Sequence, residues 1–375
     1  MKKFRKAKII KNGRRIKKIS CYFIFFPKIL KLFMLVILLS NSFTNKKKGK
    51  EVFINNIQYN NNNTIHLSLS IDDKYIYPCI VFLTSLLDNR ANSTFYIIHI
   101  LKNNELSKES MKKIDTIIER FGNHSVNLTY YNLEGISKNS TTGYLSVTSY
   151  YKIVLPSLLP NVDKIIFADG DMINLADLSE MYSIKFKENM YFCGITDYID
   201  HLNQLREVGL SSDKYINAGV LLMNLEALRE NSIEKKLTEF IATHTLKFFE
   251  QTAINCVCFN NTQVLPYKYN LFAFPSLYML IKLNNQQDIK YRVNESELKE
   301  AFNNPTLFHY VSIDKPWRKE NTLFNRVYWW YYVKMSGFYQ EILDYYKFNK
   351  SYIETLLEQI PKDGGLLKRN YKKLN

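Results

Sequence analysis

Strand-like and helix-like stretches alternate from Ile65 onward, and no other feature of the chain narrows its fold as far. Residues 65–71 read IHLSLSI, apolar and polar in strict alternation, which is the period of a strand. YIYPCIVFLTSLLDN (75–89) then has the length and composition of a helix. FYIIHIL (95–101) is a second strand, and SKESMKKIDTIIERFG (107–122) an amphipathic helix with Ser107 placed to cap its start and Gly122 near its end. SVNLTYYNL (125–133) is a third strand. TSYYKIVLPSLL (148–159) reads as helical up to Pro156, and KIIFADGD (164–171) as a fourth strand. MYFCGITDY (190–198) and the apolar run after Asn217 are further strands, and IEKKLTEFIATH (233–244) another helix. This order predicts βαβ units, hence an α/β fold with a mostly parallel central sheet flanked by helices.

In open sheets of this kind a ligand sits beyond the carboxyl ends of the strands. Two acidic pairs fall there, Asp72–Asp73 and Asp169/Asp171. Residues i and i+2 of an extended chain point to one side. Two carboxylates that close repel each other, and both stay ionised only beside a cation. A divalent metal with oxygen ligands, Mg²⁺ or Mn²⁺, is the economical explanation, with Gly170 keeping a side chain out of its way. The plain alternative is an Asp-Gly surface turn, which the preceding apolar IIF disfavours. His309, in TLFHYVSIDKPWR (306–318), is a further ligand candidate, and Lys315 a point charge for a phosphate. Taken alone, each is more simply a core histidine and a solvated lysine. Asn217–Ala218–Gly219 precedes an apolar strand, where small residues admit a ligand close to the backbone. In EQTAIN (250–255), Glu250 and Gln251 open an apolar helix and could be first-turn residues and nothing more.

Charge excludes one class of partner. Of 51 basic residues 16 lie in the first 50 positions, which hold no acid, so the remaining 35 balance the chain's 35 acidic residues. A neutral body has no basic groove for nucleic acid. Residues 1–50 instead read as a basic extension around the apolar segment CYFIFFPKILKLFMLVILLS (21–40), interrupted by Pro27, Lys28 and Lys31. It is expected to hold the protein on a membrane surface, with the body on the cytoplasmic side. The competing expectation is a single-pass anchor with a lumenal body. An Asn-rich linker (51–64) follows. The five cysteines form no paired cluster, which fits free thiols rather than a structural zinc site.

Taken in order, Asp72–Asp73, SYYKIVLP, FADGD, NAGVLLMNL, EQTAIN and HYVSIDKPW resemble glycosyltransferase family 8, the retaining transferases that include lipopolysaccharide galactosyl- and glucosyltransferases and glycogenin. The resemblance covers residues 65–318 and leaves 319–375 as a C-terminal helical subdomain with a basic tail. It implies a GT-A fold that transfers glucose or galactose from UDP-glucose or UDP-galactose to a glycan or glycolipid hydroxyl, with Mn²⁺ as cofactor and Mg²⁺ as the substitute. It also implies that Asp169, Asp171 and His309 ligate the metal. Asp72 would lie at the uracil, Lys315 at the diphosphate, Lys152 and Asp73 near the donor, and Asp197, Asn217 and Gln251 around the sugar, with Gln251 closest to the reacting face. Four positions depart from the family pattern. Lys74 stands for an asparagine, Lys152 for an arginine, Glu250 for an aspartate and Ser312 for a glycine.

Two other readings compete. FADGDM also resembles the nucleophile loop of haloacid-dehalogenase phosphatases, whose first aspartate becomes phosphorylated, although here the motif lies mid-chain and Met172–Ile173 follows it. A membrane-tethered sugar-nucleotide-binding protein without turnover is the other.

Overall fold

The computed structural model describes residues 63–122, 124–134, 147–197, 215–244, 246, 248–273, 293–311, 314–319 and 325–360. All fall within one unit of the chain, Asn61–Asn375. The basic extension, the apolar segment 21–40, most of the Asn-rich linker, Ser312 and the basic tail lie outside the described residues. No helix among the described residues is long and apolar enough to cross a membrane.

The chain runs β1 (Thr64–Ser70), α1 (Ile76–Asp88), β2 (Phe95–Lys102), α2 (Lys108–Phe121), β3 (Val126–Asn132), α3 (Leu155–Leu158), β4 (Lys164–Ala168) and β5 (Met172–Asn174). It continues through α4 (Ser179–Ser183), β6 (Phe192–Gly194), β7 (Val220–Asn224), α5 (Leu225–Glu230), α6 (Ile233–Thr243), α7 (Phe249–Val257) and β8 (Thr262–Val264). Then come β9 (Leu271–Phe272), α8 (Glu295–Asn303), β10 (Leu307–His309), α9 (Arg326–Ser336), α10 (Tyr339–Tyr346) and α11 (Lys350–Leu357). Seven strands form the main sheet in the order β3-β2-β1-β4-β7-β6-β8. Only the pairings of β7, with β4 and with β6, are antiparallel, so the sheet is mostly parallel, as the alternation predicts.

β4 shows why its sequence is apolar throughout. Ile166 and Ala168 enter the core beneath α1, while Ile165 and Phe167 enter a second core with Tyr151, Leu221 and Ile254. A strand covered on both faces has no solvent side to mark with polar residues. Burying each of its large side chains contributes roughly 1.5–3 kcal/mol.

α2 begins as its sequence implies, with the Ser107 hydroxyl accepting from Ser110 N. Gly122 closes it for a different reason from the usual left-handed cap, because its backbone is right-handed helical. A Cβ there would come within 2.5 Å of Ile118 O. Pro156 starts a helix rather than ending one. Residues 147–154 form a 3-10 helix, and α3 carries Pro156 in its first turn, where a missing N–H costs nothing. The segment 190–198 is strand only over β6.

A second sheet of three strands, β5-β10-β9, lies at the carboxyl edge of β4. The sequence did not mark Met172–Asn174 as a strand, yet its antiparallel pairing sets Met172 opposite His309. α9 packs with α1 and the first core through Trp329 and Trp330. Tyr77 of α1 donates to Glu341 of α10 at 2.7 Å.

Candidate active site

Four strand ends converge. β1 and β4 are parallel neighbours, so Asp72 and Asp169 leave the sheet on the same edge. β7 runs the other way, with Val220 opposite Ala168, which brings Asn217–Ala218–Gly219 to that edge. β6 runs parallel to β8 and leads to Asp197, whose backbone N–H donates to Tyr215 O at 2.8 Å.

Asp169 and Asp171 flank the turn between β4 and β5, and the β5–β10 register brings in His309. His309 Nε2 lies 3.4 Å from Asp171 Oδ1 and 3.9 Å from Asp169 Oδ2. One ligand atom from each of the three falls within 4.8 Å of the others, a spacing that one cation can bridge. Two observations bear on whether a metal fits. Asp171 Oδ1 is buried without a hydrogen-bond partner, an expensive state that a cation relieves. Gly219 is the residue that leaves room, since a Cβ there would lie 2.3 Å from His309 Cε1 and 2.9 Å from Asp169 Oδ2. A Cβ added at Gly170 would meet only Cys79 and Ile71, at 3.9 Å.

Charge is divided unevenly over the pair. Burial works to raise the Asp171 carboxyl, but Lys315 and His309 outweigh it and hold it well below the usual carboxylate range. The Lys315 ammonium sits 2.5 Å from Asp171 Oδ2. Desolvation pushes the half-buried Asp169 above its ordinary value, with Lys152 opposing and Asp171 adding to the rise.

The remaining expected residues form two groups. Asp197 Oδ2 accepts from Asn217 Nδ2 at 2.9 Å and from Gln251 Nε2 at 3.0 Å, while Gln251 Oε1 accepts from Ala218 N at 2.9 Å. Lys152, only 1% exposed, donates to Ala218 O at 2.9 Å and to Glu250 Oε1 at 3.1 Å and stands 3.8 Å from Asp169 Oδ1. Asp72 is buried, and its Oδ1 accepts from Lys74 N and Tyr75 N. Asp73 does not join the cluster in the same way. Its Oδ1 accepts from Ser107 N at 2.9 Å, tying the loop to the start of α2.

Two residues escaped the sequence reading. Tyr75, 36% exposed, stands edge-on to Trp317 with ring centroids 6.3 Å apart. Burial first, and then Asp171, Asp169 and Asp72, push its phenol upward, which places it within electrostatic reach of all three carboxylates. Its position directly after Asp-Asp-Lys was the available signal. Asn270, fully buried, joins Asn217 to His309, and no motif marks it.

The sequence profile of "Glycosyl transferase family 8" matches residues 66–321. General stress protein A of Bacillus subtilis is 21% identical over 260 residues, covering 68% of this chain and 87% of that protein. A lipopolysaccharide 1,2-glucosyltransferase of Escherichia coli is 22% identical over 266 residues, covering 68% of this chain and 73% of the other. Among solved structures, the galactosyltransferase LgtC in complex with donor and acceptor sugar analogs superposes with a TM-score of 0.58 at 18% identity, covering 73% of this chain and 95% of that one. The bifunctional WbbM apo structure gives 0.63 at 18% identity, covering 78% of this chain but only 52% of its own. The fold is therefore that of the GT-A transferases. With a profile that spans both acidic pairs, the NAGV and EQTAIN segments, His309 and Lys315, the chain belongs to glycosyl transferase family 8 and is a glycosyltransferase.

Proposed function

We propose that the protein is a retaining hexosyltransferase that moves glucose or galactose from a UDP-sugar to a hydroxyl of a glycan or glycolipid. The observation that carries this reading is the meeting, at one sheet edge, of Asp169, Asp171 and His309 with the hydrogen-bonded group Asp197, Asn217 and Gln251. The first three would hold a cation beside a diphosphate, and the second three suit a sugar's hydroxyls. A bound Mn²⁺, or Mg²⁺ in its place, would neutralise charge on the diphosphate as it departs. Lys315, already at that corner, supplies a fixed positive charge for the same diphosphate. Tyr75 offers an exposed aromatic face beside Asp72 for the base.

Retention is compatible with double displacement or with front-face substitution. Double displacement needs a carboxylate free to attack the anomeric carbon. Here Asp197 Oδ2 holds two amides and Glu250 is tied to Lys152. Gln251, whose two amide atoms are both engaged, is a poor nucleophile. Front-face substitution therefore fits these contacts better. The acceptor hydroxyl attacks on the side from which UDP leaves, and its proton passes to a phosphate oxygen. Recovery of a covalent sugar on Asp197 or Glu250 would exclude it.

The acceptor class rests on relatives such as the lipopolysaccharide glucosyltransferase. Free thiols at Cys79, Cys193, Cys256 and Cys258 support a reducing, cytoplasmic setting for the catalytic body, with residues 1–50 on the membrane surface. The experiment is a panel of UDP-sugars with Mn²⁺, read as UDP release by hydrolysis. One or two sugars are expected to turn over, and Asp169→Ala or Asp171→Ala to abolish turnover while leaving the circular dichroism spectrum unchanged. Tight UDP-sugar binding with no release from any sugar would favour the non-enzymatic reading, and full activity in either variant would remove the metal assignment.

A further inference from the structure

The buried amides between the two halves of the site can be oriented from the structure, because their hydrogen-bond chain starts at groups that only accept or only donate. Gln251 Oε1 accepts from the Ala218 N–H, which turns its Nε2 to Asp197 Oδ2, and the same Oδ2 accepts from Asn217 Nδ2 at 2.9 Å. The Gly219 backbone N–H only donates, and it meets Asn217 Oδ1 at 2.9 Å. The side chain of Asn217 is thus fixed at both ends. Asn270 approaches that same Oδ1 at 3.0 Å and must present its Nδ2. Its Oδ1 is then turned to His309 Nδ1 at 2.9 Å. An acceptor at that position requires the His309 proton to sit on Nδ1. Nε2 is then the ring nitrogen that faces Asp169 and Asp171.

We propose that Asn270 is a positioning residue that sets the Nδ1–H tautomer of His309. It completes a relay, Asp197–Asn217–Asn270–His309, that ties the sugar group of the site to the metal group. Asn270 is fully buried at the end of the 3-10 turn Tyr267–Asn270 and reaches the reacting atoms only through its two partners. The inference rests on the metal-site reading above. A hydrogen-bond partner behind a ligating histidine commonly carries 10–100-fold in metal affinity, because it fixes both the tautomer and the plane of the ring.

The test combines nitrogen NMR of the His309 imidazole in the full chain, followed with rising pH until the ring is neutral, with calorimetric titration of Mn²⁺ in the presence of UDP. The wild type should show the Nδ1–H tautomer, and Asn270→Ala should lose it and bind Mn²⁺ about 10–100-fold more weakly. Asn270→Asp keeps an acceptor for Nδ1–H but has no donor for Asn217. It should retain the tautomer and hold Mn²⁺ affinity within a few-fold, while raising the KM for the donor sugar. An Nε2–H tautomer in the wild type would overturn the proposal without any variant. So would unchanged Mn²⁺ affinity in Asn270→Ala, or a loss in Asn270→Asp as large as in Asn270→Ala. Failure of the wild type to bind Mn²⁺ at all would instead overturn the metal-site reading on which the proposal stands.

Discussion

Space and charge around Asp169 are set by residues that never need to touch a substrate. Gly219 leaves the gap in which His309 Cε1 and Asp169 Oδ2 approach the backbone. Gly219→Ala is expected to weaken Mn²⁺ binding by about 10-fold or more, and Gly170→Ala, whose Cβ would make only ordinary contact with Cys79 and Ile71 at 3.9 Å, to leave it unchanged. Equal losses in the two variants, measured by calorimetry, would count against the cradle. Lys152 has three ammonium protons and three acceptors around it, on Ala218, Glu250 and Asp169. The Arg-to-Lys and Asp-to-Glu departures meet in that one contact, the shorter cation facing the longer acid. Glu250→Gln removes the acid that shares Lys152 with Asp169. The ammonium should then close on Asp169 and compete with the metal, raising the Mn²⁺ concentration needed for half-maximal activity. The pair Lys152→Arg with Glu250→Asp should recover more activity than either change alone. Strictly additive losses in that double-mutant cycle would show that the two positions are independent.

At the scale of strands and helices, the sequence was legible wherever burial wrote a period into it. The β1 alternation, the α2 cap at Ser107 and the doubly covered β4 are all visible in residue order. Asp169 and Asp171 were legible because two carboxylates on an apolar strand end are costly without a reason. His309, Asn217 and Gln251 were ambiguous singly and gained meaning only from their order along the chain. What stayed hidden depends on contacts distant in sequence. Met172–Asn174 is too short to show a strand period, and only its partner 307–309 makes it one. Asn270 is an unremarkable polar residue until Asn217 and His309 arrive from other elements. Pro156 misled because proline breaks a helix interior but suits a first turn.

Another feature of the paired strands has a measurable effect. His66 on β1 and His99 on β2 stack with ring centroids 5.3 Å apart, and His99 also meets the Tyr131 hydroxyl. Burial, with His66 adding to it, pushes His99 down to about 3, and burial lowers His66 as well. In the unfolded chain both protonate near pH 6.5. The unfolded state therefore binds more protons below that pH, and stability falls as pH drops from about 6.5 toward 3. At pH 5 the loss from His99 alone is about 2 kcal/mol. Urea denaturation at pH 7.5 and pH 5 should show it, with a smaller difference in His99→Gln. An identical pH dependence in that variant would remove the histidine as the cause.

For the molecule as a whole, a formally neutral body carries a tail with all of the excess charge. We propose that this tail attaches the protein to an anionic membrane surface, where each Lys or Arg contributes about 1 kcal/mol at moderate salt. The full chain should cosediment with phosphatidylserine-containing vesicles and detach as salt rises, whereas residues 51–375 should stay in solution and still release UDP from the donor. Equal sedimentation of the two forms would place the membrane contact on the body. The helices of residues 326–357 pack onto that body, with Trp329, Trp330, Ile342 and Ile353 inside the core that also holds α1.

The antiparallel pairing of β5 with β10 sets an order of events during synthesis. The acidic pair is made early, but its third partner arrives on a three-residue strand held between β5 and β9. A nascent chain that stops short of Leu307 carries the two carboxylates and lacks the imidazole that completes the set. On the proposed metal-site reading, a chain truncated before Leu307 should therefore fail in transfer, because the set is complete only once β10 is paired with β5.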